Sequence, residues 1–197
     1  MCKDLCFETI LIEDGKPKNL FYHQKRFEKT QKELFQTTHH PLLSNLIQPP
    51  SKQTLRCKIT YNSTIQNIEY TPYTRTLPNE FELVFADINY PYKYLDRSEI
   101  DQLKNSSNSQ EIIIIKNNLI TDTSIANIAL LINQQWLTPQ APLLEGTMRA
   151  KLLGEGKIKP ANLTTTELKR CDGLALMNGM VGFCIVKRFS IKDFLDG

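Results

Sequence analysis

Residues 111–131, EIIIIKNNLITDTSIANIALL, constrain the fold of this chain more than any other stretch. The isoleucines at 112–115 form a short β-branched run bounded by polar residues, the pattern of a buried strand. Asn117-Asn118 supplies a turn, because Asn tolerates a positive φ better than most residues. A second short strand over 119–121 then returns antiparallel. It ends at a carboxylate, Asp122, inside a polar knot of Thr121, Thr123 and Ser124. The apolar run resumes at Ile125 and carries Asn127 in its middle. An ionisable group between buried strands needs a partner. On spacing alone Asp122 reads first as a turn aspartate satisfied by local backbone N–H groups, and second as a functional acid.

Either side of this stretch the chain alternates strands and helices. Residues 6–13 read as a strand with Asp14-Gly15 as its turn. Asn19 is placed to cap a helix from 20 to about 35, on which His23, Arg26, Phe27 and Thr30 share a face. A short helix follows over 42–47 and is broken by Pro49-Pro50. Residues 55–61 alternate, with Leu55, Cys57, Ile59 and Tyr61 on one side and Arg56, Lys58 and Thr60 on the other. A partner strand covers 65–70. The segment TPYTRTLP at 71–78 reads as a linker, so two domains are expected, 1–75 and 76–197.

In the second half a strand is expected over 81–88, a helix from Ser98 to 103, and a polar loop over 104–110. A short strand follows at 135–137, and a helix opens at Gly146-Thr147. Thr164 and Glu167 have the spacing of a capping box. Strands at 174–177 and 181–186 are joined through Asn178-Gly179, a tight-turn dipeptide. The fold class is therefore α/β (α+β).

Composition excludes several functions. Of the 197 residues 41% are hydrophobic, which argues for a folded protein and against disorder. No apolar run approaches the ~20 residues of a membrane span. The start, MCKDLCFETI, lacks a secretory core, so a cytoplasmic protein is expected. A net charge of +3 with scattered lysines does not point to nucleic acid. The five cysteines contain no C-x-x-C pair and read as reduced, mostly buried thiols. No His/Cys cluster has metal-site spacing, and His39-His40 read as part of a solvated loop.

The stretch LITDTSIANIAL resembles the central signature of the class IV aminotransferases, the fold-type IV enzymes of pyridoxal 5′-phosphate. In that family an acid, usually Glu, stands five residues before an Asn; here the pair is Asp122 and Asn127. Further segments are similar and come in the family order. They are FETI at 7–10, H-x-x-R at His23 and Arg26, LRCKITY at 55–61, KYLDR at 93–97, LLEGTMR at 143–149 and ALMNGMVGF at 175–183. The resemblance thus covers nearly the whole chain. Family members usually carry a further strand pair before the FETI segment, and this sequence starts almost at it.

The resemblance implies two small α/β domains with pyridoxal phosphate between them and the cofactor lysine in the second. It implies that Lys93 holds the cofactor through its amine and then serves as the mobile acid/base. A partly desolvated lysine suits that task, although a lysine taken alone is more often a solvated surface residue. Asp122 would pair with the pyridine nitrogen; it is one methylene shorter than the family's Glu. Arg26 would bind the 5′-phosphate through its planar fork, or else pair on the helix surface with Glu28 or Glu33. Thr147, at a helix start, would add a hydroxyl to a phosphate site, or act as an ordinary cap. Asn178, Gly179 and Met180 would line the phosphate and substrate carboxylate. Arg56, Tyr61 and Thr9 are weaker candidates for the substrate side, and Arg149 is expected in a structural ion pair.

The activity that the resemblance implies first is that of a lyase similar to 4-amino-4-deoxychorismate lyase, which belongs to this family and forms 4-aminobenzoate for folate biosynthesis. The alternatives are a branched-chain or D-amino acid aminotransferase, or a cofactor-binding protein without catalysis. A small amino compound is the expected substrate, with no nucleic acid or membrane partner, and a homodimer is expected by resemblance.

Overall fold

A computed structural model describes residues 5–192. The chain divides into two compact units. The first runs to Arg75 and also takes Tyr92–Asp96; the second holds Thr76–Pro91 and the chain from Arg97 onward. Lys93, expected in the second domain, therefore groups with the first. The cause is backbone pairing. Phe7 N donates to Lys93 O at 2.9 Å, Leu95 N donates to Leu5 O at 2.7 Å, and Tyr94 bridges Cys6.

In the first unit β1 (Cys6–Glu13), β2 (Lys16–Pro17), β3 (Leu55–Tyr61) and β4 (Ile65–Pro72) form an antiparallel sheet in the order β2-β1-β3-β4. Helix α1 (Leu20–Glu33) and the single turn α2 (Leu43–Leu46) complete it. The two-residue period of β1 and β3 sends Cys6, Ile10, Ile12, Leu55, Cys57, Ile59 and Tyr61 into one core with Phe27 of α1 and Leu43 of α2. Burying each such large side chain is worth about 1.5–3 kcal/mol. Tyr61 is fully buried, edge-on to Phe27 at 4.7 Å and Phe35 at 6.2 Å. It is a core residue of the first unit rather than a substrate contact. The register of β3 on β4 shifts between Thr60 and Tyr61, so both are buried, while Arg56 is exposed. Asn19 does not cap α1 with its side chain; it sits in the left-handed region at φ 54°.

The second unit is built on a nine-stranded sheet. The strands are β5 (Glu80–Phe85), β6 (Glu111–Lys116), β7 (Leu119–Thr123), β8 (Asn127–Ile132), β9 (Gln135–Pro139), β10 (Lys159–Ala161), β11 (Gly173–Asn178), β12 (Gly182–Val186) and β13 (Ser190–Lys192). One path runs β10-β9-β8-β7-β6-β5-β13, while β11 pairs with β8 and β12. Helices α3 (Ser98–Ser106), α4 (Thr147–Gly154) and α5 (Thr165–Arg170) pack on it. The β6–β7 turn uses Asn117 and Asn118 at φ 52° and 61°, as expected from the Asn pair. The capping box at Thr164 and Glu167 also forms.

Three expectations are corrected in this unit. The strand expected to reach Ile88 stops at Phe85, and α3 continues to Ser106 into the polar stretch. The Asn178-Gly179 turn has three residues between the paired Asn178 and Gly182, and Gly182 carries the positive φ of 73°. Among the described cysteines Cys6 and Cys57 are buried and Cys171 and Cys184 half-buried, with no disulfide between them; Cys2 lies outside the described residues. Among the described residues no helix is long and apolar enough to cross a membrane.

Candidate functional site

The candidate residues form one cluster in each unit. In the first unit β1 alternation sends Glu8 to the same face as Cys6, Ile10 and Ile12, under α1, with no exposed surface. A carboxylate there needs compensation. The α1 face that carries His23 and Arg26 supplies it. Arg26 donates through Nε to Glu8 Oε1 at 2.8 Å and through Nη2 to Glu8 Oε2 at 2.6 Å. His23 Nδ1 lies 2.6 Å from the same Oε2. Burial pushes the Glu8 carboxyl up, but the Arg26 charge and the His23 hydrogen bond outweigh it and hold the pKa down at about 2. Burial also lowers the His23 pKa, against the Glu8 bond. The His23 contact is therefore a neutral imidazole N–H donating to a carboxylate; the charge is balanced by Arg26.

Arg26 thus spends two parallel donors on Glu8, and the surface pairing with Glu28 or Glu33 is not what orients it. Glu8 was missed by the sequence reading, which weighed only its neighbour Thr9 in FETI. The signal was present: an acid on the strand face of Cys6, Ile10 and Ile12, followed in the chain by a helix that carries Arg26. Thr9 is half-buried on the opposite face. Lys93 is half-buried too, with Nζ 4.5 Å from the centre of the Phe7 ring. Its charge acts on His23 through space. The backbone of β1 therefore anchors the Lys93 segment at Leu5 to Phe7, while Glu8 next along it anchors Arg26.

The Glu8 pair carries a pH signature. Glu8 has an ordinary pKa of 4.5 and a folded value of about 2. A depressed acid stabilises the fold fully above its unfolded pKa and loses that contribution as pH falls through the folded one. The gap corresponds to about 3 kcal/mol. Wild-type protein is expected to lose that much more stability between pH 4.5 and 2 than Glu8→Gln does, read by denaturant titration at each pH. Parallel losses in the two proteins would remove the ion pair from this role.

In the second unit Asp122 lies in β7, opposite Asn127 of β8, the one register pair joining those strands. It is not a turn aspartate with local partners. Asn127 Nδ2 donates to Oδ1 at 2.6 Å, and Leu144 N, 22 residues on, donates to Oδ2 at 2.9 Å. The polar knot around it is local only at Thr123. Thr123 Oγ1 accepts from Ile125 N and Ala126 N, and Ser124 N donates to Glu111 Oε1. Burial raises the Asp122 pKa to about 6 against these hydrogen bonds.

Asn127 Nδ2 also donates to Leu144 O at 2.8 Å. Its Oδ1 faces Gly146, where an added Cβ would come within 1.9 Å of it. Gly146 caps α4 and Thr147, 2% exposed, is the first residue of that helix, not its cap. Arg149 donates to the Pro139 carbonyl at 2.8 Å rather than to a carboxylate; Asp122 and Glu145 act on it only through space. Asn178 shapes its own turn, accepting from Met180 N and Val181 N, and donates to Ile125 O at 3.1 Å. Asp122, Thr147 and Asn178 are thus linked through Asn127 and the 125–127 backbone. Arg26 and Lys93 are linked through β1.

Each cluster by itself carries groups of the kind a pyridine aldehyde phosphate uses: the first a half-buried amine and a guanidinium, the second a carboxylate with both oxygens fixed and a helix start. The family described as amino-transferase class IV has a model that matches residues 5–189. An uncharacterized protein of Haemophilus influenzae is 39% identical over 183 residues, 89% of this chain and 97% of its own length. The crystal structure of a candidate 4-amino-4-deoxychorismate lyase from Haemophilus somnus 129pt superposes with a TM-score of 0.84 at 35% identity, covering 92% of this chain and 99% of that one. A hypothetical aminotransferase from Mycobacterium tuberculosis in its PLP-bound form is similar in fold, with a TM-score of 0.80 at 13% identity over 95% of this chain and 82% of that one.

Proposed function

Because this chain belongs to the class IV aminotransferases, we propose that it is a pyridoxal phosphate-dependent lyase that converts 4-amino-4-deoxychorismate to 4-aminobenzoate and pyruvate. The observation that carries this reading is the likeness to the Haemophilus somnus protein, which extends over nearly all of both chains. The residues on hand suit the chemistry. When bound, pyridoxal phosphate supplies an electron-withdrawing ring that stabilises negative charge on the carbon bearing the substrate nitrogen.

Lys93 is the amine that holds the cofactor and then moves the proton at that carbon. Asp122 sits with both oxygens fixed and presents a negative charge for the ring nitrogen. Arg26 and the start of α4 at Gly146-Thr147 are the anion-binding groups for the phosphate, and Asn178 shapes the adjoining turn. Loss of the ring proton and of the enolpyruvyl oxygen leaves an aromatic ring; the departing enolpyruvate gains a proton and becomes pyruvate.

The test gives purified protein the cofactor and 4-amino-4-deoxychorismate, and follows pyruvate and 4-aminobenzoate. Stoichiometric release of both is expected, with no amino-group transfer to 2-oxoglutarate. Amino transfer without pyruvate would make the chain an aminotransferase; cofactor binding with neither product would make it a binding protein.

A further inference from the structure

Asn127 sits at the junction of two features that the proposed chemistry needs set together. Its Nδ2 reaches Asp122 Oδ1 at 2.6 Å and Leu144 O at 2.8 Å. Leu144 N returns to Asp122 Oδ2 at 2.9 Å, which closes a ring of hydrogen bonds around the carboxylate. Two residues beyond Leu144 is Gly146, the cap of α4, against whose Cα the Asn127 Oδ1 packs. Asn127 is 5% exposed, so its carboxamide has no open space to swing into. Rotating the amide by half a turn would leave a nitrogen in the same tight place and break both donated bonds.

We propose that Asn127 is a positioning residue that sets the Asp122 carboxylate and the Gly146-Thr147 helix start as one rigid unit, fixing the spacing between the group that meets a pyridine nitrogen and the backbone that meets a phosphate. This rests on the pyridoxal phosphate reading above. The position of Asp122 then depends on the absence of a side chain at residue 146, which is remote from it in sequence. It also accounts for how an acid one methylene short of the family's usual Glu is held at a defined depth: Asn127 Nδ2 of β8 and Leu144 N of the segment before α4 grip one oxygen each.

The experiment measures equilibrium binding of pyridoxal 5′-phosphate and of pyridoxal, which lacks the phosphate, to the apo protein by absorbance. Wild type, Gly146→Ala, Asn127→Ser and the double variant are compared, with folding checked by thermal melts. Gly146→Ala is expected to weaken pyridoxal phosphate by roughly tenfold or more, the effect of a charge-assisted hydrogen bond. It is expected to weaken pyridoxal by a comparable factor, because the displaced Asn127 releases Asp122. Asn127→Ser is expected to show the same pair of losses. The double variant is expected to bind no worse than Asn127→Ser, since serine leaves room for the added methyl group.

A Gly146→Ala loss confined to pyridoxal phosphate, with pyridoxal unchanged, would mean that nothing is transmitted to Asp122 and would overturn the proposal. So would losses that multiply in the double variant, or single variants that bind both ligands within twofold of wild type. Should Asn127→Ser fail to fold, the pyridoxal arm of Gly146→Ala decides alone. Wild-type protein that binds neither ligand would instead overturn the cofactor reading itself.

Discussion

Lys93→Ala is expected to abolish turnover, with kcat falling by about a thousandfold or more, because it removes both the amine that holds the cofactor and the group that moves the proton. The fold should survive. The segment is tied down by main-chain bonds from Phe7 N to Lys93 O and from Leu95 N to Leu5 O, which alanine keeps. Among what the variant gives up is the approach of Nζ to the Phe7 ring at 4.5 Å, an interaction worth about 0.5–1 kcal/mol at a partly exposed site. Borohydride reduction of the holo protein followed by peptide mapping reads the assignment directly. Label is expected on the peptide that contains Lys93 and on none in the variant. Label on another lysine would move the centre of the site elsewhere.

Asp122→Asn is expected to cost about a hundredfold or more in kcat, the usual result of losing one preorganised electrostatic partner. The structure adds two features that the shape of Asn does not suggest. Both Asp122 oxygens accept, one from Asn127 Nδ2 and one from Leu144 N. An amide nitrogen in place of either oxygen meets a donor, at a cost of about 1–3 kcal/mol. Against this, the substitution removes a buried charge. The Asp122 pKa rises from 3.8 to about 6 on folding. An acid raised in this way stabilises the fold fully below its unfolded pKa and loses that contribution as pH climbs through the folded one. The apo protein should therefore lose about 3 kcal/mol through Asp122 between pH 4 and 6, and Asp122→Asn should not. Denaturant titration of both apo proteins across that window checks the stability arm, and initial rates check the other. A variant with kcat within a few-fold of wild type would reduce Asp122 to a structural acid.

Glu8 and Asp122 shift in opposite directions although both are buried. Glu8 has a guanidinium held on both oxygens, whereas Asp122 has only neutral donors. Desolvation wins at Asp122, where the Arg149 cation acts only through space and donates no hydrogen bond to the carboxylate.

The sequence by itself determined the local pieces and their order. The paired asparagines at 117 and 118 specify a turn with two positive φ values, which few other residues adopt without strain. Thr164 and Glu167 specify a helix start because both partners of the capping box lie within one turn. Alternation over 55–61 picked out the buried face of that strand, Leu55, Cys57, Ile59 and Tyr61, up to the register shift that also buries Thr60. The ordered motifs identified the family without any coordinates. Only the tertiary structure decided who partners whom. Alternation buries Glu8 and demands a counter-charge, but Arg26 lies 18 residues away and could equally have met Glu28 or Glu33 on its own helix. The polar residues around Asp122 suggest a locally satisfied turn, yet the carboxylate is gripped from Asn127 and from Leu144, and the dense knot serves other backbone groups. Lys93 is carried into the first unit by pairing with β1. Local propensity acts over a few residues. The partner of a buried polar group is chosen by packing, which brings together segments whose separation in sequence leaves no trace in either one.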